Sequence, residues 1–255
     1  MSPLVMSAFL MMGQAADPKL GETLAKLKDG DAKARQQAVA ALATSKTELE
    51  PRAIAALAKV LDDADAKVRK TAAQTLGEIG PRAREWGGGP KLSAQLANLF
   101  KDKEPSIRKT AVWAYGQVGI DSIAELQPVY DSFKDSSPDV RMTAVASAAQ
   151  YIHDQVSAEE RTEILDRICD VLSDKDDRVK KAAGELLLKS GVEAVPGLKR
   201  MVENAKGQPR LWAALVLGEI GPPAKDAVPS LEKALGEVAP EGRPIVQAAL
   251  KKIGS

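Results

Sequence analysis

RKTAAQTLGEIGP, Arg69–Pro81, returns 141 positions later as RLWAALVLGEIGP, Arg210–Pro222. The last six residues are identical, and the arginine keeps its offset before them. Aligning the chain on that arginine yields a column of seven basic positions: Arg35, Arg69, Arg108, Arg141, Lys180, Arg210 and Arg243, spaced by 34, 39, 33, 39, 30 and 33 residues. A repeat of this length marks a chain assembled from stacked supersecondary units. Two further columns keep step. Three residues after the basic position stand Ala38, Ala72, Ala111, Ala144, Ala183, Ala213 and Val246; seven after it stand Leu42, Leu76, Tyr115, Ala148, Leu187, Leu217 and Leu250.

Helical geometry accounts for the columns. At 100° per residue, Val68, Ala72, Leu76 and Ile79 fall within about 80° of one another and form one apolar stripe, while Lys70 and Glu78 point away. The small residue of the alanine column lets a neighbouring helix come close. Glycine in IGP (Gly80, Gly221) is a helix C-cap signal, and Pro81 or Pro222 stops continuation. A second amphipathic helix precedes several of these inner helices, at 51–63, 90–102, 122–135, 157–174 and 226–237. Short polar turns join the two, among them DDADAK, DKEPS, DKDD and the stretch from Asp135 through Ser136, Ser137 and Pro138 to Asp139.

Each unit is therefore helix A, tight turn, helix B. One pair cannot bury both faces alone, so successive pairs stack over a continuous core. The predicted fold is all-α: a right-handed α-α superhelix of about seven helix-turn-helix repeats, forming a single domain over 17–255. Repeat four departs from the pattern with Ala148-Ala149, and repeat five with Leu187-Leu188. The two 39-residue spacings reflect insertions, REWGGGP at 84–90 and HDQVSAEER at 153–161. GGGP, 87–90, reads as a flexible break before a helix, with Trp86 in the inserted loop.

LDDADAKVRKTAAQTLGEIGP (61–81) above all resembles HEAT repeats, and in particular the bacterial HEAT-like repeats named after phycobilisome lyases. The resemblance covers roughly 19–254. It implies the α-solenoid fold and, for the basic column, bonding of each helix-B arginine to an acidic or carbonyl partner at a neighbouring turn. Asp65, Asp139 and Asp176 are turn acids suited to that role. Because the repeat is a structural unit, the resemblance implies function only through architecture.

The 255 residues carry 36 basic and 35 acidic side chains, with 4% aromatics and an apolar supply dominated by Ala, Leu, Val and Ile. Nucleic-acid binding leaves a strong positive footprint, and none stands out. DNA-alkylation repair glycosylases also use HEAT-like helices, but with basic concave surfaces. Here the corresponding outward positions are Gln36, Lys70, Lys109, Met142, Lys181, Leu211 and Pro244, three lysines diluted by apolar residues. Residues 1–16 contain no charged side chain. Leu4–Met12 is too short to span a bilayer. It reads as a signal-peptide core with cleavage after Ala15 or Ala16, which implies export to the periplasm or beyond. The missing basic n-region leaves a second reading, an apolar N-terminal segment of a cytoplasmic protein.

Catalytic chemistry finds few candidates. His153 is the only histidine and Cys169 the only cysteine. Together they cannot furnish a zinc or iron site, and no metal or other cofactor is expected. HEAT-repeat hydroxylases use several His-Glu pairs, absent here. Cys169 lies among Ile164, Leu165, Ile168 and Leu172 and reads as a buried, inert thiol. Paired carboxylates (Asp62-Asp63, Glu159-Glu160, Asp176-Asp177) fall in turns or on polar faces and read as solubilising groups.

Binding residues are therefore sought on the outer side of the B helices. Trp113 lies about 120° outside its helix's apolar stripe, in the column of Ala40, Gln74, Ala146, Glu185, Leu215 and Ala248. It is either an interaction anchor or a filler between stacked helices; Trp212 reads as a filler. The expected function is a monomeric, non-catalytic scaffold holding a peptide or protein partner on its concave surface, with Lys70, Gln74, Lys109, Trp113, Lys181 and Glu185 as contacts. A bilin-lyase-like enzyme or chromophore chaperone, binding a linear tetrapyrrole, is the alternative.

Overall fold

The computed structural model describes residues 18–44, 51–87, 89–152 and 156–254. Seven A/B pairs follow one another. They are α1 (Pro18–Lys26) and α2 (Ala32–Thr44); α3 (Pro51–Lys59) and α4 (Ala66–Ile79); then, after an extra helix α5 (Pro81–Gly87), α6 (Pro90–Asn98) and α7 (Pro105–Val118). Next come α8 (Gln127–Asp131) and α9 (Pro138–Gln150); α10 (Ala158–Asp170) and α11 (Asp177–Ser190); α12 (Val195–Asn204) and α13 (Gln208–Ile220); and α14 (Val228–Glu237) with α15 (Arg243–Ile253). The described residues contain no strand. Each B helix packs on the next, α2 to α4 to α7 to α9 to α11 to α13 to α15. The B layer, here the inner layer, makes the more extensive inter-repeat contacts. The core is one cluster running from Leu27 to Ile253.

The recurring LGEIGP is now legible residue by residue. Leu76 and Leu217 are fully buried. Gly77 and Gly218 sit where the next B helix crosses. A Cβ on Gly77 would lie 2.6 Å from Cζ3 of Trp113 and 2.9 Å from Cα of Ala114; one on Gly218 would lie 2.8 Å from Cα of Ala249. Glu78 and Glu219 are exposed to solvent. Gly80 and Gly221 end their helices at φ/ψ of 68°/−141° and 75°/−144°, a region essentially restricted to glycine.

One expectation about the insertions is revised. Residues 81–87 form helix α5 rather than a loop, so Trp86 is helical and stacks under the Arg82 guanidinium at 4.5 Å. A proline that ends one helix can also open the next, because its missing N–H falls among the unbonded donors of a first turn. Arg84 of α5 is buried and donates to Ser93 Oγ, the Gly119 carbonyl at 3.1 Å, and the carboxylates of Asp121 and Glu125. Burial opposes its charge, but the two carboxylates outweigh that and raise its pKa. The insertion thus clamps repeats three and four. In the second insertion, Ser157 and Glu160 form a reciprocal capping box at the start of α10; His153 lies outside the described residues. The helix expected over 122–135 is instead a 3₁₀ turn, the short α8, and a second 3₁₀ turn.

The basic column forms a ladder along the turn edge, with different acids from those expected. Arg35 binds Asp63, Arg69 binds Asp102, Arg108 binds Asp135, Arg141 binds Asp174 and Arg210 binds Glu237, each reaching into the following repeat. The same guanidinium ties down its own turn: Arg69 Nη1 donates to the Asp63 and Ala64 carbonyls, and Arg141 Nη1 to those of Asp135 and Ser136. The partners always stand six residues before the next basic position. Asp65 and Asp176 do other work: their side chains accept amide N–H bonds at the first turns of α4 and α11. Asp139 lies 3.7 Å from Arg178.

One rung is missing. Among the described residues Lys180 makes no ion pair with the next repeat; it pairs with Asp177 of its own helix at 2.7 Å and meets the next repeat through the Trp212 ring, 5.9 Å away. The position that should supply its acid is Asn204, so both halves of that rung are altered together. Repeats five and six are fastened on the outer layer instead, where Arg200 of α12 donates to the Asp166 carbonyl and to Asp170. Arg243 is exposed at the start of the last helix, with no described repeat beyond it.

The ladder dictates an acid response. Asp63 is held below the ordinary carboxylate value of 3.8 by its bond to Arg35. For Asp135 and Asp174 burial pushes upward, but bonds from Arg108 or Arg141 and from a turn amide win and lower both. The folded state therefore binds fewer protons than the unfolded chain near pH ~3–4. The ladder's contribution is complete above the unfolded value and is lost as pH falls through the lowered folded values. We expect the melting temperature to be nearly level from about pH 7 to 5 and to drop steeply below about pH 4. A flat profile from about pH 5 to 3, followed by circular dichroism, would contradict the ladder.

Candidate functional site

On the inner face, α4, α7 and the start of α9 enclose an open groove of 810 Å³, lined by Lys70, Gln74, Glu78, Lys109, Trp113, Asp139 and the first turn of α7. The sequence columns explain why these side chains meet. Positions one and five residues after the basic column share one face of a helix, and consecutive B helices lie side by side. Gln74, Lys109, Lys181 and Glu185 are exposed; Lys70 and Trp113 are half-buried. The groove unites Lys70, Gln74, Lys109 and Trp113. Lys181 and Glu185 occupy the same columns on α11 but lie outside it, paired with each other at 3.8 Å.

Trp113 both fills space between stacked helices and lines the groove. One edge of the indole sits over Gly77, whose lack of a side chain makes room for it, and the rest lines the groove. Trp212 packs against the core beside Lys180, as a filler does.

Charge in the groove is layered along the helix axes. Glu104 and Asp139 mark the end nearest the turns; Lys70 and Lys109 stand next; Gln74 and Trp113 follow about 6 Å further on; Glu78 closes the far end. Glu78 accepts a bond from Gln74 at 3.0 Å, and Asp139 has Arg178. Lys70 and Lys109 have neither an ion pair nor a side-chain hydrogen bond among the described residues.

Towards the C-terminus the inner face turns apolar. Leu188 and Leu215 are 41% and 42% exposed, and Leu215, Pro244, Ile245 and Ala248 line a shallow recess of 230 Å³. Sequence reasoning did not select this patch, although the columns point to it, since Leu215 and Ala248 share the Trp113 position.

Other sites of expected chemistry are structural. Cys169 is fully buried, and desolvation pushes its thiol up to about 12. Tyr115, the aromatic in the leucine column, donates to the Glu125 carbonyl at 2.7 Å and meets Phe100 edge-on. Among the described residues no helix is long and apolar enough to cross a membrane, and no cluster of His, Cys, Asp and Glu has the makings of a metal site.

Comparison with known proteins supports the same architecture. Residues 20–86 match HEAT repeats, and residues 209–237 match the PBS lyase HEAT-like repeat. No curated protein matches the chain in sequence. Among solved structures, the designed armadillo repeat protein YIII(Dq)4CqI aligns with a TM-score of 0.54 at 21% identity, covering 92% of this chain and 99% of that one. A computationally designed armadillo repeat protein for modular peptide recognition aligns at 0.53 and 22% identity, covering 91% and 99%. Another, in complex with the peptide (KR)4, aligns at 0.51 and 21%, covering 92% and 99%. The chain is an all-α superhelix whose repeats resemble HEAT and PBS-lyase HEAT-like repeats.

Proposed function

We propose that this chain is a non-catalytic docking scaffold that holds an extended segment of a protein partner across the inner face of α4, α7 and α9. The observation that carries this reading is the groove itself: a half-buried indole flanked by two unpaired lysines and a glutamine, on three helices whose spacing is fixed by the core. Aromatic anchors at the centre of a wet, polar rim are the usual form of an interaction hot spot. Three helices at about 8–10 Å spacing present about 20 Å between the outer axes, the reach of about six extended residues. A designed solenoid of similar fold is known in complex with the eight-residue peptide (KR)4. Localisation is a separate proposal, export through residues 1–16, checked by N-terminal sequencing of the protein from its host.

Selection of random displayed peptides against the protein tests the reading. Selected peptides are expected to bind Trp113→Ala at least about thirtyfold more weakly, and Gln74→Ala several-fold more weakly with an unchanged melting temperature. Failure to select any peptide, or selected peptides indifferent to both substitutions, would overturn it.

A further inference from the structure

We infer that the segment this groove takes is acidic, carrying carboxylates spaced by apolar or aromatic residues; the inference rests on the groove being a peptide site. Its basis is where the groove's charges stand: the acids lie at its two ends, and the two lysines between them have no partner among the described residues. Glu78 is engaged by Gln74, and Asp139 lies beside Arg178. Lys70 and Lys109, at equivalent positions on adjacent helices, are answered by nothing among the described residues, and both line the groove next to Trp113. A ligand carboxylate can reach each ammonium while the residue between them lies on the indole. Lys70 is half-buried, so a counter-charge there is screened less than on open surface.

A basic segment fits worse. The groove's acids are at its two ends, and two of the three already have partners, so a cation in the middle would face the lysines. Nucleic acid also fits worse. A phosphate backbone lays down charge continuously, whereas the lysine row here is bounded by Glu104 and Asp139 on one side and Glu78 on the other. Isolated carboxylates meet the two lysines without meeting those acids.

The test uses the full chain and four fluorescein-labelled probes in an anisotropy titration: the peptides (EF)4, (QF)4 and (KF)4, and an eight-nucleotide oligothymidylate. (EF)4 is expected to bind at least about tenfold more tightly than (KF)4, with (QF)4 between them and the oligonucleotide weakest. Raising the salt should erode the advantage. In the Lys70→Glu/Lys109→Glu variant the order of (EF)4 and (KF)4 should reverse. A preference for (KF)4 that is lost in Trp113→Ala would overturn the acidic assignment while leaving the groove as a peptide site. So would equal binding of all three peptides. Tightest binding by the oligonucleotide would overturn both. If no probe binds, the acidic assignment fails, and the displayed-peptide selection decides separately whether the groove binds peptides.

Discussion

Replacing Arg141 with alanine is expected to cost about 3 kcal/mol of stability, because it strips one side of a buried ion pair and leaves the other charged and unanswered. Arg141 is the most enclosed of the ladder arginines, its side chain 4% exposed and that of Asp174 8%. It makes two bonds to Asp174 at 2.6 and 2.8 Å and two to backbone carbonyls of its own turn. Truncation removes all four bonds and, among the described residues, leaves Asp174 with only the amide of Asp176 as a donor. For a chain of this length the melting temperature should fall by roughly 8 °C. Arg141→Lys should recover little, since an ammonium cannot reproduce the planar fork that serves a carboxylate and two carbonyls together. Arg141→Met with Asp174→Leu should be milder than Arg141→Ala alone, because no lone charge remains buried. A loss below about 0.5 kcal/mol for Arg141→Ala in urea denaturation, within the range of an exposed pair, would show that the ladder sets register without holding the stack.

Gly218→Ala is expected to destabilise by roughly 2 kcal/mol, against what helix propensity alone predicts. In an exposed helix interior, glycine to alanine gains up to about 1 kcal/mol. At 218 the added methyl would stand 2.8 Å from Cα and 3.0 Å from Cβ of Ala249 on α15. Both obstacles are rigid, so the last helix must move outward as in other overpacked cores. Gly21→Ala is the matched control: it too is helical, and nothing lies within 4 Å of its new methyl. It should leave stability level or raise it slightly. If Gly218→Ala melts no lower than wild type, the close approach of α13 and α15 is not what the glycine provides.

The columns read from sequence correspond to physical positions throughout the stack. Alanine and leucine columns are core, the glycine of IGP is a cap, and the inward columns converge on the groove. Lys70, Gln74, Lys109 and Trp113 were identifiable because a helix repeats its face every few residues and the repeats stack in order. Lys181 and Glu185 passed the same test yet lie outside the groove, since a column specifies a face and not how many neighbours share a recess. The ladder acids went unread for a different reason. The turn DDAD offers three carboxylates, and only registration between repeats tells Asp63 from Asp65. The fixed offset of Asp63, Asp102, Asp135, Asp174 and Glu237 before each basic residue was available, as was Asn204 in that place one repeat after Lys180. Helix α5 was hidden by its brevity and by Arg84, a charge on its buried side that is tolerable only because Asp121 and Glu125 lie far along the chain.

The altered rung between repeats five and six has a mechanical meaning. Five of the six junctions are stitched at the turn edge by an arginine and an acid, while the remaining one is pinned on the opposite, outer layer by Arg200. That joint is held by the shared apolar core, by the Lys180 ammonium over the Trp212 ring and by the outer pin, so its cohesion depends less on a charged pair, and less on pH, than that of the other five.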